Sequence, residues 1–167
     1  MRTERNQRME IKFRITPMYE DSHNIREIVN STGFFYDHEI EVAVELLEER
    51  LKTGIESGYY FVFADVDGKT AGYSCFGPIA CTKSSYDLFW IAIHNEYRGK
   101  GIGKEILEET YKCAKEMSCT ALYAETSARD QYAPTREFYD KNGFFKEALL
   151  KDFYDIGDDK LIYVKKL

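Results

Sequence analysis

Arg98-Gly99-Lys100-Gly101-Ile102-Gly103, followed by Lys104, combine what a multiply charged anion needs. Arg98, Lys100 and Lys104 carry positive charge, and Gly99, Gly101 and Gly103 lack the side chains that would keep a ligand off the backbone. The residues just before, 87–93 (DLFWIAI), form an apolar run of strand length. Just after, Ile102, Ile106, Thr110, Ala114 and Met117 recur at helical spacing. A buried strand therefore runs through a glycine-rich turn into the start of a helix. The first N–H groups of a helix have no acceptor within it, and its dipole is positive there, so the chemistry suggested is phosphate or pyrophosphate binding. Counting excludes two well-known versions. A Walker-type loop needs Gly, four residues and then Gly-Lys-Ser/Thr, but Arg98 stands where the first Gly belongs and Glu105 follows Lys104. A GxGxxG loop needs glycine at 104 or 106, where Lys104 and Ile106 stand. What remains is Arg98-x-x-Gly101-x-Gly103 after a strand, which alone fits an ordinary strand-to-helix turn as well as a ligand loop.

The flanking elements can be read in order. Residues 10–16 alternate as a first strand that Pro17 ends. Asp21 or Ser22 can cap a short helix stopped by Gly33, and Asp37 or His38 opens a longer one with Ile40, Val44, Leu47 and Leu51 on one face. Phe34, Phe35 and Tyr36 between them are expected to pack on the core rather than wall a pocket. Runs 59–65 and 69–77 flank Asp67-Gly68, a hairpin signal. The helix at 101–117 crosses to a strand reading ALYAET at 121–126, an order that implies a parallel pair. Pro134 opens a short helix ended by Gly143, and 144–150 and 160–166 form two last strands about a turn at Gly157-Asp158-Asp159. The reading is a mixed α/β chain with about seven strands and about four helices in the order β-α-α-β-β-β-α-β-α-β-β, its sheet antiparallel at the ends and parallel in the middle. Residues 10–167 are expected to form one domain after a disordered lead-in at 1–9.

Composition narrows the class. A net charge of −6 without a basic stripe argues against nucleic acid as a partner. No apolar run is long enough to span a membrane and the start lacks a signal-peptide core, so no membrane partner and a cytoplasmic location are expected. Cys75, Cys81, Cys113 and Cys119 form no CxxC and have no histidine at ligand spacing, so no metal site is expected and the thiols read as free.

A second motif gives the first its meaning. Residues 134–144, PTREFYDKNGF, resemble the short helix ending FYxKxGF of the GCN5-related N-acetyltransferases, and Arg98-x-x-Gly101-x-Gly103 resembles that family's acyl-CoA signature. The two stand at the family's usual separation, with a helix and a strand between. The resemblance implies the family's fold, with the central parallel pair splayed, and transfer of an acetyl group from acetyl-CoA to an amine by direct attack in a ternary complex. It implies that Arg98, Gly99, Lys100, Gly101, Ile102, Gly103 and Lys104 hold the pyrophosphate, and that the backbone of Ile91, Ala92 and Ile93 holds the pantetheine arm and offers an oxyanion donor. The family's tyrosine falls on Tyr139, a general acid for the leaving thiolate. Glu125 and Asp87 match positions where different members carry a base, Glu125 being slightly preferred and a water chain remaining an alternative. Many members carry an asparagine where Tyr132 stands, so that contact is expected to pass to Gln131, backbone or water. Members often dimerise, which makes a homodimer an expectation. The acceptor is left open between a small amine and a peptide N-terminus. A rival reading is an acyl-CoA-binding sensor without turnover.

Overall fold

The computed structural model describes residues 9–167. Of the expected lead-in, residues 1–8 lie outside the described residues, while Met9 packs on a small cluster around Ala64 and Ile102.

Seven strands form one sheet: β1 (Ile11–Arg14), β2 (Tyr60–Val66), β3 (Lys69–Pro78), β4 (Ser85–Ile93), β5 (Ala121–Ser127), β6 (Phe145–Asp155) and β7 (Asp158–Lys166). Their order is β1-β2-β3-β4-β5-β7-β6, with β4 and β5 parallel and every other pair antiparallel. Four α-helices accompany them: α1 (Asp21–Ser31), α2 (Asp37–Thr53), α3 (Ile102–Glu116) and α4 (Ala133–Lys141). Element order and the parallel centre match the expectation from the sequence.

Period-2 alternation along β2 and β3 divides the sheet between two layers of helix. Phe61, Phe63, Tyr73 and Cys75 face α1 and α2, where Ile25, Ile28, Val44 and Leu47 are buried. Val62 and Phe76 face the other side with Leu107, Tyr111 and Ala114 of α3 and Tyr139 of α4. The stripe of α3 is completed by Thr110, whose hydroxyl donates to the Ile106 carbonyl at 2.7 Å and pairs with Ser74 Oγ at 2.7 Å. Asp67 and Gly68 both take positive φ, as a tight hairpin turn between right-twisted strands requires.

Two local expectations change. Asp21 does not cap α1 from outside. It is its first residue and is fully buried, accepting from both terminal nitrogens of Arg14 at 2.7 and 2.8 Å and from the Met18 N–H at 2.8 Å. The last hairpin is longer than the alternation suggests, and its turn falls at Ile156-Gly157, because β6 is an edge strand with hardly a buried residue. An edge strand exposed on both faces keeps no in–out alternation for the sequence to display.

Candidate active site

β4 and β5 touch only briefly. They pair at Ser85↔Ala121, Tyr86↔Leu122 and Asp87↔Tyr123, and then part. The parting coincides with a bulge. Trp90 faces Cys75 and Leu88 faces Phe76, so Phe89 has no residue opposite it on β3. An extra residue bends its strand and increases its twist, which carries the second half of β4 away from β5. The exposed backbone there has a definite polarity. His94 N–H donates to the Ala71 carbonyl at 2.8 Å. In an antiparallel ladder alternate residues turn both polar groups to the same neighbour. Ala92 therefore bonds to β3, while the N–H and C=O of Ile91 and Ile93 point into the gap.

β4 leads from this gap through a 3-10 turn, Asn95–Tyr97, into the glycine-rich loop. Gly99 and Gly101 take φ of 73° and 80°, and Gly101 is the residue that caps α3. The first intrahelical bond runs from Glu105 N–H to the Gly101 carbonyl. Among the described residues no backbone acceptor takes an N–H from 99 to 104, so this run of donors is free to receive an anion. Gly103 answers a packing need: a Cβ there would lie 3.1 Å from the ring of Phe138 on α4. The Arg98 guanidinium sits 5.2 Å from the centre of the Phe34 ring, and the Lys100 ammonium 5.3 Å from that of Tyr97.

A cavity of about 720 Å³ opens between the diverging strands. Tyr139 reaches it from α4 beside Ile91. Its ring is buried against Phe144 and Tyr163, at centroid distances of 5.0 and 5.5 Å, and burial pushes its phenol far above the ordinary value. It is therefore protonated throughout the physiological range. Asp87 lines the cavity where the strands separate. Burial raises its carboxyl, the nearby charge of Glu125 adds to the rise, and Lys160 opposes it. Asp87 enters no ion pair among the described residues. Glu125 also lines the cavity but is paired with the ammonium of Lys160 on β7. The structure thus brings Tyr139, Asp87, Glu125 and Ile91 to one cavity, and continues β4 directly into Arg98, Gly99, Lys100, Gly101, Ile102, Gly103 and Lys104.

Several contributors are invisible in the linear motifs. Phe35 and Tyr36 do line the cavity, so the aromatic loop forms a wall as well as packing on Trp90 at 5.0 Å. Tyr132, where the resemblance leads one to expect an asparagine, stacks on Phe34 at 6.4 Å and lines the cavity too. Arg129 forms an ion pair with Asp158 at 3.0 Å, and Arg136 holds the same turn through the carbonyls of Ser127 and Arg129, each at 2.9 Å. Lys160 is 8% exposed, and its ammonium lies 4.0 Å from the centre of the Phe153 ring. Tyr154 faces the cavity with its phenol pushed up to about 12, first by burial and then by Glu125. Lys160 could have been suspected only with the strand order known, because β7 rather than β6 lies beside β5 and sets Lys160 opposite Ser127.

Comparison with known proteins points to one family. Residues 22–144 match the model of the acetyltransferase (GNAT) family. A crystal structure of a GNAT-family protein from Desulfovibrio desulfuricans is 43% identical, superposes with a TM-score of 0.92, and is covered to 99% by 94% of this chain. An N-alpha-acetyltransferase of Sulfurisphaera tokodaii is 27% identical over 117 residues, 64% of this chain and 69% of its own. The PaiA N-acetyltransferase of Thermoplasma acidophilum, solved with coenzyme A, shares the fold with a TM-score of 0.73 at 24% identity, over 95% of this chain and all of its own, 100%.

Proposed function

The chain belongs to the GNAT family of acetyltransferases, and from that premise we propose that it moves an acetyl group from acetyl-CoA to a primary amine of a small molecule or a peptide N-terminus. Acetyl-CoA supplies the activated acetyl group as a thioester. The observation that carries the reading is the path of β4 from the cavity into the glycine-rich loop. β4 carries the outward-turned backbone groups of Ile91 and Ile93 and then, past one 3-10 turn, leads into the partnerless N–H run of residues 99–104, while Ile91, Tyr139 and Asp87 line one cavity.

Each group has a task that fits its surroundings. The N–H groups of residues 99–104, with Arg98, Lys100 and Lys104, suit the pyrophosphate, because charge-assisted bonds to a fixed backbone are strong and need no rearrangement. The N–H groups of Ile91 and Ile93 suit the pantetheine amides and the thioester oxygen, where negative charge builds. Tyr139 keeps its proton at neutral pH and can deliver it to the departing sulfur. The amine has an ordinary value of about 10 and arrives protonated, so something must take a proton. Asp87 is the better acceptor of the two candidates. It enters no ion pair among the described residues, and burial raises its basicity against a weaker opposing effect of Lys160, whereas Glu125 is paired with Lys160 directly.

The test is release of CoA thiol from acetyl-CoA with a panel of amines, repeated with Tyr139→Phe. Turnover in that variant should fall by about 10²-fold or more, the usual worth of a positioned acid, while acetyl-CoA still raises the melting temperature. Unchanged turnover would remove Tyr139 from the mechanism.

A further inference from the structure

We propose, on the reading that this cavity takes the acceptor amine, that the acceptor carries a single ammonium on an aromatic or large apolar body and is not a polycation. Five carboxylates line the cavity, but four are already engaged. Glu125 is paired with Lys160, and Asp158 with Arg129 and the Ser127 hydroxyl. Glu39 accepts the Tyr36 N–H at 2.8 Å where α2 begins, and Asp155 accepts the Ile156 N–H at 2.7 Å at the hairpin tip. Asp87 alone has no such partner among the described residues, and it stands where the strands part, lining the same cavity as Tyr139 and Ile91. One ammonium can meet it. A polyamine or aminoglycoside would bring further ammonium groups to a wall whose other carboxylates already have partners and in which Arg129 stands, and like charges there are repulsive.

The rest of the wall suits an apolar body. Phe35, Tyr36, Phe89, Trp90, Tyr123 and Tyr154 supply rings to it. Tyr36, Phe89 and Tyr154 are 64%, 38% and 47% exposed, so a large share of their surface is open to a ligand instead of being spent on the core. Such a collar buries an aromatic or large aliphatic group well and adds ring-to-ring contacts. A free arylalkylamine and a peptide whose first residue is aromatic share this chemistry.

Trp90 is the single tryptophan of the chain and lies in the wall, so its fluorescence reports the cavity. The CoA-saturated protein is titrated with phenethylamine, Phe-Gly-Gly, butylamine, spermidine and kanamycin, and thiol release from acetyl-CoA is measured in parallel. Phenethylamine or Phe-Gly-Gly should bind at least about tenfold more tightly than butylamine and spermidine, the usual worth of one well-packed ring. The better of the two identifies a free amine or a peptide N-terminus as the source. Replacing both exposed tyrosines, Tyr36→Ala with Tyr154→Ala, should reduce the preference over butylamine to within about threefold. Tighter binding of spermidine or kanamycin, parity with butylamine, or no response to any amine would overturn the inference. The expected ranking without thiol release would uphold it and overturn the catalytic reading instead.

Discussion

The two ends of the proposed site are built in different ways. At the loop end the groups proposed to hold the cofactor are backbone N–H donors from six consecutive residues, 99–104, aimed by two glycines of positive φ and the start of α3. At the other end they are side chains from the α1–α2 loop, β4, β5, the turn before α4, α4 itself and the last hairpin. A backbone cradle is stiff and local and serves one ligand shape. A wall of side chains from separate segments can change one residue at a time without disturbing the fold. The proposed cofactor end is thus conservative by construction, and the acceptor end is where specificity can vary.

Side-chain changes at the acceptor end should stop chemistry and spare cofactor binding. Asp87→Asn is the strongest case. If Asp87 takes the amine's proton, turnover should fall by about 10²-fold or more, with acetyl-CoA binding unchanged by calorimetry. Glu125→Gln should cost far less because that carboxylate is already held by Lys160. The reverse outcome would exchange their roles. Asp87→Asn should also be more thermostable. Burial raises the folded-state value of Asp87 above its unfolded value, so the folded chain holds the proton more tightly and stability falls as pH rises through that window. Above it the charged form carries a constant penalty that asparagine removes. The melting temperature of Asp87→Asn should exceed that of the parent near neutral pH, and the gap should close below about pH 4. A lower melting temperature would mean that Asp87 has a structural partner instead.

The opposite break is made by backbone strain. Gly101→Val puts a β-branched residue at φ 80°, a region that costs such a side chain about 1–3 kcal/mol. The strain can be relieved only by turning the N–H donors away. The Michaelis constant for acetyl-CoA should rise by about tenfold or more, while the preference among acceptors stays the same. Lys100→Ala should give a smaller rise that salt masks, since it removes one exposed charge. If the lysine change proved the larger, the loop would be acting through charge and not through its backbone.

The same contrast explains what could be read from the chain alone. The glycine loop is six residues long and its proposed function lies in their conformation, so Gly99, Gly101 and Gly103 are visible as a string. The motif around Tyr139 sits on one short helix and is equally compact. The core stripes of α2 and α3 follow the helical period and were plain for the same reason. The bulge at Phe89 was not legible, because the residue opposite it belongs to β3 and the register is set by the whole sheet. Nor was the engagement of Glu125, whose partner lies 35 positions away on a strand (160 − 125) that pairs with β5 only because the last hairpin inserts β7 before β6. The aromatic loop at Phe35 and Tyr36 could equally have been core. Its role as a wall depends on where β4 bends.

Lys160 offers the finest test, because it touches the acceptor end without facing the cavity itself. Its ammonium lies within the protein between Glu125 and the Phe153 ring, and its charge favours the ionised form of Asp87. Lys160→Met keeps most of the apolar stem and removes the charge. The carboxyl of Asp87 should then rise further, because burial and Glu125 would act unopposed. The acid limb of the pH–rate profile should therefore move to higher pH, measured with an amine whose own ionisation lies outside the window. Turnover on the alkaline plateau should change by no more than a few-fold, since Lys160 moves no proton. Glu125, freed of its partner and half exposed, can be solvated and should cost little stability. A shift of the limb to lower pH, or none, would mean that the ammonium does not act on Asp87 and that the pair with Glu125 serves only to join β7 to β5.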